Sequence, residues 1–418
     1  MKQRISYIFT GAKETCTGCS ACVHVCKHHA LSMRTDNDGF MFPQMDVDRC
    51  VECGLCDMIC PSVGNHQENE ESSQHCYVAT TDKKEYYKES ASIGICTMLS
   101  HSFISHGGHV FGAYLDETSW TAYHIDVTDK AGIEKIRNSK YLQSSTEDTF
   151  MEVKELLNNG DSVLYIGTPC QIAGLKSFLH KEYENLYTVD IICHGVFSPK
   201  LMKYEVNYWE KMYHGQLHNF RFRSKRVYKH VNGGMVNFEI TKNRRISHIE
   251  RFAGSSPTYR CYAYSGDGNN YNLRLSCYNC TFKSLKRYAD ITVGDPWFIQ
   301  NPKINNPRLR SNNVIRSLYS VNTTKGDKLA KEIRSLILEE EIAVEDAFCQ
   351  PAVVPSRRDI PLLREELYSK IDTTDYGALV ENLLSCDLNR AHTSFVKKYK
   401  RMCIKIKVRR LFKWLHLK

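Results

Sequence analysis

The chain has 418 residues, 42% of them hydrophobic and 25% charged, a composition typical of a soluble globular protein with two or three domains. The formal net charge is +9, but ten Lys and Arg residues and no Asp or Glu follow residue 396, which leaves the first 396 residues near −1. This distribution argues against a nucleic-acid partner. The lack of a long apolar run and of an apolar signal-peptide core predicts a cytoplasmic protein.

Composition changes along the chain predict an α/β protein, α+β overall, in which a small cysteine-rich domain precedes a larger mixed α/β domain. Eighteen cysteines in a chain of this length indicate metal binding rather than a disulfide framework. We predict a cysteine-rich domain over 1–61, a polar linker over 62–75, the larger domain as an N-terminal region over 76–155 and a C-terminal region over 156–345, and a helical region with a basic tail over 346–418.

The first domain contains two cysteine motifs, "CTGCSACVHVC" and "CVECGLCDMICP". Both have the C-x2-C-x2-C-x3-C spacing of bacterial two-cluster ferredoxins, in which the fourth cysteine of each motif binds the other cluster. A zinc site would need only four ligands in paired CxxC spacing, so the double pattern favours 4Fe-4S clusters. We assign one cluster to Cys16, Cys19, Cys22 and Cys60, and the other to Cys50, Cys53, Cys56 and Cys26.

The larger domain contains a predicted β-α-β unit. "DSVLYIGT" (161–168) and "LYTVDIIC" (186–193) are apolar runs of strand length, and "CQIAGLKSFLHKEY" (170–183) has apolar residues at helical spacing. Short connections between them predict two parallel strands joined by a right-handed crossover.

This unit suggests a third metal site. The carboxyl ends of neighbouring parallel strands meet at one edge of a sheet, which brings Cys170 and Cys193 together, and the CxxC turn of "SCYNC" offers two more sulfurs. We predict a third 4Fe-4S cluster on Cys170, Cys193, Cys277 and Cys280. Other interpretations stay open: a zinc site with the same ligands, a nucleophilic Cys170 beside His194, or an ordinary buried thiol. The other six cysteines are interpreted as structural: Cys76, Cys96, Cys261, Cys349, Cys386 and Cys403.

Several stretches over 76–345 resemble the beta subunit of coenzyme F-420 (deazaflavin) hydrogenases and dehydrogenases, including formate dehydrogenase beta subunits. They are "YIGTPCQIAGLKSFL", "LYTVDIICHGVFSPK", "FRFRSK" and "SCYNCTFKSLKRYADITVGDPW", with "GGHVFGAYLDE" and "IRNSKYLQSS" earlier. The resemblance implies an iron-sulfur flavoprotein with FAD and with a cluster held by the cysteines that match the four named above. Bacterial members of this kind are found with surface-polysaccharide synthesis proteins.

The same resemblance names residues for the flavin. The family has paired glycines in a turn near the start of this domain, where this chain has Ile93 before Gly94, and a β-branched side chain there disfavours close approach of the backbone to a flavin. The resemblance assigns flavin binding to Gly94, Lys140, Tyr141 and Gln143. The alternative is a strand end with ordinary polar groups.

These features predict an oxidoreductase that passes electrons between ferredoxin-type clusters, a flavin and an organic substrate or deazaflavin-like cofactor. A flavin would carry the hydride chemistry, so no catalytic acid or base is assigned, and Arg287 and Asp295 either tune the third cluster, bind flavin or form salt bridges. The alternative function is a non-enzymatic relay subunit serving a separate catalytic partner. Expected partners are a ferredoxin or another redox protein.

The basic tail, "VKKYKRMCIKIKVRRLFKWLHLK", interleaves apolar and basic residues. Val408, Leu411, Phe412 and Leu415 follow helical spacing, which predicts a basic amphipathic helix suited to the headgroup region of an anionic membrane. We therefore predict peripheral binding on the cytoplasmic face; a solvated or partner-bound helix is the alternative.

Overall fold

A computed structural model of the chain describes residues 4–63, 74–226, 234–297, 299, 303–311, 314–353 and 358–415. Most of the predicted linker over 62–75 lies outside these residues. The chain forms two compact units, one of residues Met1–Lys203 and Leu273–Ile360 and the other of Tyr204–Asn272 and Pro361–Lys418. The domain boundaries given above remain predictions.

The strands, in chain order, are β1 (Leu31–Thr35), β2 (Met41–Met45), β3 (His75–Thr80), β4 (His109–Asp116), β5 (Thr121–Val127), β6 (Ser144–Ser145), β7 (Val163–Gly167), β8 (Leu186–Ile191), β9 (Gln216–Arg221), β10 (Met235–Lys242), β11 (Arg245–Phe252), β12 (Ile291–Gly294), β13 (Ser317–Val321) and β14 (Leu338–Ile342).

The helices are α1 (Tyr7–Thr10), α2 (Ala21–Val25), α3 (Leu55–Met58), α4 (Lys84–Tyr87), α5 (Ile95–Ser105), α6 (Lys130–Ile136), α7 (Thr149–Asn159), α8 (Pro169–Leu179), α9 (Pro199–Tyr213), α10 (Pro257–Ala263), α11 (Leu275–Tyr278), α12 (Pro307–Arg310), α13 (Thr324–Lys331), α14 (Val344–Ala347), α15 (Leu362–Lys370), α16 (Tyr376–Leu383) and α17 (Leu388–Leu415).

A mixed sheet organises the first unit. Its strand order is β14-β3-β13-β12-β8-β7-β4-β5-β6, and the β1-β2 hairpin of the cysteine-rich domain forms a separate antiparallel pair. At its centre β12, β8, β7 and β4 run parallel to one another. The predicted α/β class is confirmed, and so is the parallel pairing of β7 with β8 around α8.

Both faces of the central strands are buried, as parallel strands require. Successive residues point to opposite faces, so Val110 and Leu164 join one hydrophobic cluster while Phe111 and Tyr165 join the other. The first cluster includes residues of α5 and α13. The second includes residues of α7 and α8, together with three from the cysteine-rich domain: Cys19, Ala21 and Ile59. The cysteine-rich domain therefore shares a core with α8.

The second unit is built on the antiparallel sheet β11-β10-β9. Aromatic side chains fill its core: Trp209 is fully buried and its ring centroid lies 5.2 Å from that of Phe238. The indole Nε1–H of Trp209 donates to the buried carboxylate of Glu205 at 2.5 Å, and the backbone N–H of Thr258 donates to the same carboxylate at 3.0 Å. These bonds satisfy carboxyl oxygens that would otherwise be costly to bury.

The predicted helical tail is present as the last part of α17, which reaches residue 415. The side chains of residues 409–418, which include most of the predicted amphipathic face, lie outside the described residues. Among the helices that the structure describes, none is both long and apolar enough to cross a membrane.

Candidate metal centres

The first thiol set consists of Cys16, Cys19, Cys22 and Cys60. Cys22 lies on α2, Cys16 and Cys19 precede this helix, and Cys60 follows α3. Burial raises the pKa of Cys22 well above the ordinary thiol value, and the neighbouring Cys19, Cys16 and Cys60 raise it further. The fold thus brings the last cysteine of the second motif to the first three of the first motif, as cross-ligation requires.

The second thiol set consists of Cys26, Cys50, Cys53 and Cys56. All four line one cavity with an empty volume of about 400 Å³, whose walls include Phe9, Leu31, Met45 and Leu55. Cys53 is exposed, whereas the other three are partly buried. One side of this set is therefore close to solvent.

The third thiol set consists of Cys170, Cys193, Cys277 and Cys280. Cys170 lies in the first turn of α8, Cys193 follows β8, and Cys277 lies on α11. Burial raises the pKa of Cys170 well above the ordinary thiol value, and Cys280, Cys193 and Cys277 add to the shift. Burial likewise raises the pKa of Cys193 to about 12, with Cys277 as the next contribution. The four sulfurs are neighbours although their segments are distant in the sequence.

The start of α8 fixes the position of Cys170. A capping box joins Thr168 and Gln171, and Pro169 occupies the first turn, where its missing N–H has no cost. The hydroxyl oxygen of Thr168 lies 3.1 Å from the Cys170 sulfur. The sulfur is therefore held at the positive end of the helix dipole, where the dipole and the Thr168 hydroxyl partly offset the burial that raises the pKa of Cys170.

Each set gathers thiols that must ionise to bind iron. Neighbouring thiolates in a buried site repel one another, so the ionised form needs a compensating cation. Within the described ranges, no group of three or more His, Cys, Asp or Glu side chains converges closely enough to hold a single metal ion. A cubane cluster has a different requirement, because each sulfur binds its own iron. The donor sets fit 4Fe-4S clusters in ligand type and number.

The sets are also close to one another. The Cys22 thiol, in the first set, feels the charge of Cys56 in the second. Gly174 lies one helical turn after Cys170, and a Cβ added there would lie only 2.9 Å from the Sγ of Cys19. A glycine at this position therefore lets α8, which carries a third-set ligand, pack directly against a first-set ligand.

Two basic side chains lie beside the third set, and the sequence pointed to only one of them. Lys283, only 5% exposed, was not singled out in the sequence, although it belongs to the basic run "KSLKR" that follows the CxxC. Burial and the nearby Arg358 lower the pKa of Lys283, whereas the thiols of Cys280, Cys277 and Cys193 raise it. The lysine therefore places a positive charge near three of the four ligands.

Arg287 forms the salt bridge that was one of its predicted roles. Its Nη2 lies 3.1 Å from the Oδ1 of Asp190, and both side chains are buried. Burial raises the pKa of both Cys193 and Cys280, and the charge of Arg287 offsets part of that rise. Asp295 accepts a hydrogen bond from the hydroxyl of Ser92. Arg287 thus contacts both the sheet and the surroundings of the third set.

The turn assigned to flavin by resemblance is closed by protein contacts. Gly94 is the N-cap of α5 with φ +84°, and a Cβ added there would lie 2.5 Å from the carbonyl oxygen of Tyr86. Ile93 is buried, and its backbone N–H donates to the Ser317 hydroxyl at 3.2 Å. Glycine at 94 is therefore explained by its backbone conformation and by the close packing of Tyr86.

The polar side chains assigned to flavin are likewise engaged. Lys140 donates to the carbonyl oxygen of Arg137 at 2.8 Å, just after the end of α6. Gln143 is 5% exposed, and its side-chain oxygen accepts from the backbone N–H of Met41 at 3.0 Å and from Arg274 at 3.2 Å. Tyr141 is half-buried, and its backbone carbonyl accepts from the N–H of Phe197. The side chains of Lys140 and Gln143 are therefore engaged by protein groups, and the assignment of these residues to a flavin stays a prediction.

Comparison with known proteins bears on the two regions separately. Residues 160–346 match the family described as the C terminus of the coenzyme F420 hydrogenase/dehydrogenase beta subunit, and residues 15–63 match the 4Fe-4S dicluster domain. No curated protein matches the chain. A chain of the F420-reducing NiFe hydrogenase complex from Methanosarcina barkeri is similar with 16% identity and a TM-score of 0.39, over 63% of this chain and 81% of that one.

The resemblance predicted from the sequence is confirmed over residues 160–346, and the dicluster domain over residues 15–63. Together the two matches indicate an iron-sulfur electron-transfer subunit of the hydrogenase/dehydrogenase type. The chain thus combines a segment that matches the 4Fe-4S dicluster domain with a segment that matches the C terminus of the coenzyme F420 hydrogenase/dehydrogenase beta subunit.

Proposed function

We propose that this protein conducts electrons through three 4Fe-4S clusters, in the spatial order second set, first set, third set. The observation that carries the proposal is the adjacency of the sets: Cys22 neighbours Cys56, and α8, which begins at the Cys170 ligand, packs on Cys19 through Gly174. Consecutive sites in close contact are what single-electron transfer between clusters requires.

Two local interactions fix the segments that carry the third set. Thr168 and Pro169 fix Cys170 at the helix terminus, and the Arg287–Asp190 pair ties the strand before Cys193 to the segment after Cys280. Bound 4Fe-4S clusters supply one-electron transfer at fixed positions, with potentials that depend on neighbouring charge, hydrogen bonds and solvent exposure.

The classes of redox partner are inferred from the exposure of one ligand in the second set and from the family match. Cys53 is exposed, which supports exchange with a ferredoxin or another redox protein at the second set. From the third set the relay passes single electrons to a separate catalytic partner, and that partner would reduce the organic substrate or deazaflavin-like cofactor, the acceptor class that the family suggests. A link to surface-polysaccharide synthesis rests on the sequence resemblance alone.

The relay function is favoured over a flavoprotein with FAD at the resemblance-assigned residues, because Gly94, Lys140 and Gln143 are occupied by protein contacts. Denaturation followed by chromatography measures the FAD released per chain. A relay releases none. Release of about one FAD per chain that is unaffected by Lys140→Ala places a flavin elsewhere and restores the flavoprotein function.

The three-cluster proposal is tested by metal analysis. Anaerobically purified protein is expected to contain about twelve irons and as many sulfides. Replacing two third-set ligands, Cys277→Ser with Cys280→Ser, should remove about a third of both, and a matched Cys349→Ser with Cys403→Ser variant should remove none. Unchanged iron in the first variant, or stoichiometric zinc in the native protein, contradicts a third cluster.

We further infer that α17 contacts an anionic membrane through its basic end. Among its described side chains, Ile404 is 61% exposed and Val408, one turn later, is 44% exposed. Both apolar side chains lie among lysines and arginines of the tail, a combination that suits a headgroup region.

A further inference from the structure

Arg274 lies between the first and third thiol sets. Its backbone belongs to the third set: its N–H donates to the carbonyl oxygen of Val196 at 2.9 Å, and its own carbonyl accepts from the N–H of Cys277 at 2.9 Å. Val196 itself follows the ligand Cys193 by three residues. Arg274 is therefore anchored to two of the segments that carry third-set cysteines.

The side chain reaches the first set. Its Nε donates to the carbonyl oxygen of Cys16 at 2.8 Å, and its Nη2 lies 3.6 Å from the Cys16 sulfur. Its Nη1 donates to the side-chain oxygen of Gln143 at 3.2 Å, and its guanidinium carbon lies 4.0 Å from the ring centroid of Phe42. All three nitrogens of the planar guanidinium therefore contact protein groups.

The positive charge of Arg274 is buried, and among the described residues it has no carboxylate partner. The residue is 1% exposed, and in the described part of the chain its hydrogen bonds go to a carbonyl, an amide and a thiol rather than to an acid. Arg287 differs, because it pairs with Asp190. A buried, unpaired cation beside a ligand sulfur is favourable where negative charge develops.

We propose that Arg274 sets the reduction potential of the first cluster and thereby favours electron transfer from the second set into the first. The proposal rests on the proposed function. One-electron reduction adds one negative charge to the cluster, with no bond made or broken and no proton required of Arg274. The guanidinium stabilises that charge directly and through its contact with the Cys16 sulfur, which raises the potential.

Redox titration of the whole protein, followed by electron paramagnetic resonance, tests this. The signal of the first cluster is identified as the one perturbed in Cys16→Ser. Arg274→Gln removes the charge and should lower the midpoint of that signal, with about a tenfold change in the equilibrium constant, or about 59 mV for one electron. Arg274→Lys keeps the charge and should give a smaller shift. Arg34→Gln, an exposed charge in β1, should give none.

A second variant keeps the test decisive if Arg274→Gln fails to assemble the cluster. Gln143→Glu is isosteric and places a carboxylate against the guanidinium, so it should lower the same midpoint while Arg274 stays in place. An unchanged midpoint in Gln143→Glu, or in Arg274→Gln where that variant assembles the cluster, overturns the proposal. A native protein with only eight irons would end the three-cluster function, yet the Arg274 effect on the first cluster would still be measurable.

Discussion

The first two thiol sets and the third set are built in different ways. The first two come from two motifs within residues 16–60, where spacing alone groups the ligands. The third takes its cysteines from positions between 170 and 280, and they meet because β7 and β8 are parallel neighbours. The first two sites depend on local turns, whereas the third depends on the sheet. Substitutions in the sheet that leave every cysteine in place should therefore affect the third site most.

The largest expected effect comes from the buried ion pair between β8 and the segment after Cys280. Asp190→Asn leaves Arg287 charged and unpaired in a site where both side chains are buried, which should lower the free energy of unfolding by about 3–5 kcal/mol. Denaturant unfolding followed by circular dichroism, with iron analysis alongside, measures it.

A matched control is the exposed pair of Asp82 with Arg308, in which the Asp82 side chain is 79% exposed. Asp82→Asn should change stability by less than about 1 kcal/mol, because exposed pairs are weak. Equal effects of the two substitutions, or third-set iron retained unchanged in Asp190→Asn, would count against the dependence of the third site on the sheet.

A smaller effect is expected where the sheet domain contacts the first set, and it tests whether the first set depends on local turns alone. Gly174→Ala would ordinarily stabilise a helix, but the added Cβ meets Cys19 at 2.9 Å. We expect overpacking that costs about 1–3 kcal/mol and a loss of first-set iron, although residue 174 belongs to the sheet domain. Iron and sulfide analysis together with thermal unfolding measures both effects.

Ser177→Ala, on the same helix and half-buried, is the control and should retain all iron. A fully loaded and equally stable Gly174→Ala protein would show that α8 and the first set are independent of each other.

The sequence predicts a site best where its ligands are close in the chain. Eight cysteines were assigned from spacing alone. In the structure Cys60 lies near Cys22, and Cys26 lines one cavity with the first three cysteines of the second motif; their assignment to two clusters stays a prediction. Cys170 and Cys193 could be joined because their strands were recognisable as a parallel pair. Nothing in the sequence indicates that Arg274 would reach back to Cys16, across more than 250 positions, because such a contact follows from tertiary packing.

The division of the chain into two compact units was likewise not predictable from the sequence. Residues 204–272 leave the first unit and join 361–418 in the second, a long-range association that composition does not reveal. The flavin assignment to Lys140 and Gln143 came from short polar matches in sequence. Their bonds to Arg137, Met41 and Arg274 depend on elements that are distant in the chain or on the end of α6.

The smallest expected effect concerns the basic tail. Its membrane contact is predicted from residue composition alone, so it should depend on no part of the sheet. Flotation with anionic vesicles should carry the protein at low salt and release it at high salt, since each basic residue near such a surface contributes about 1 kcal/mol and is screened by ions. Ile404→Ser with Val408→Ser should reduce flotation, because two exposed apolar side chains are lost. Ile246→Ser, equally exposed at 61% but on β11, should leave it unchanged.

Undiminished flotation of a chain ending at Phe395 would exclude the tail as the membrane contact. Binding that is insensitive to salt would exclude the electrostatic mechanism.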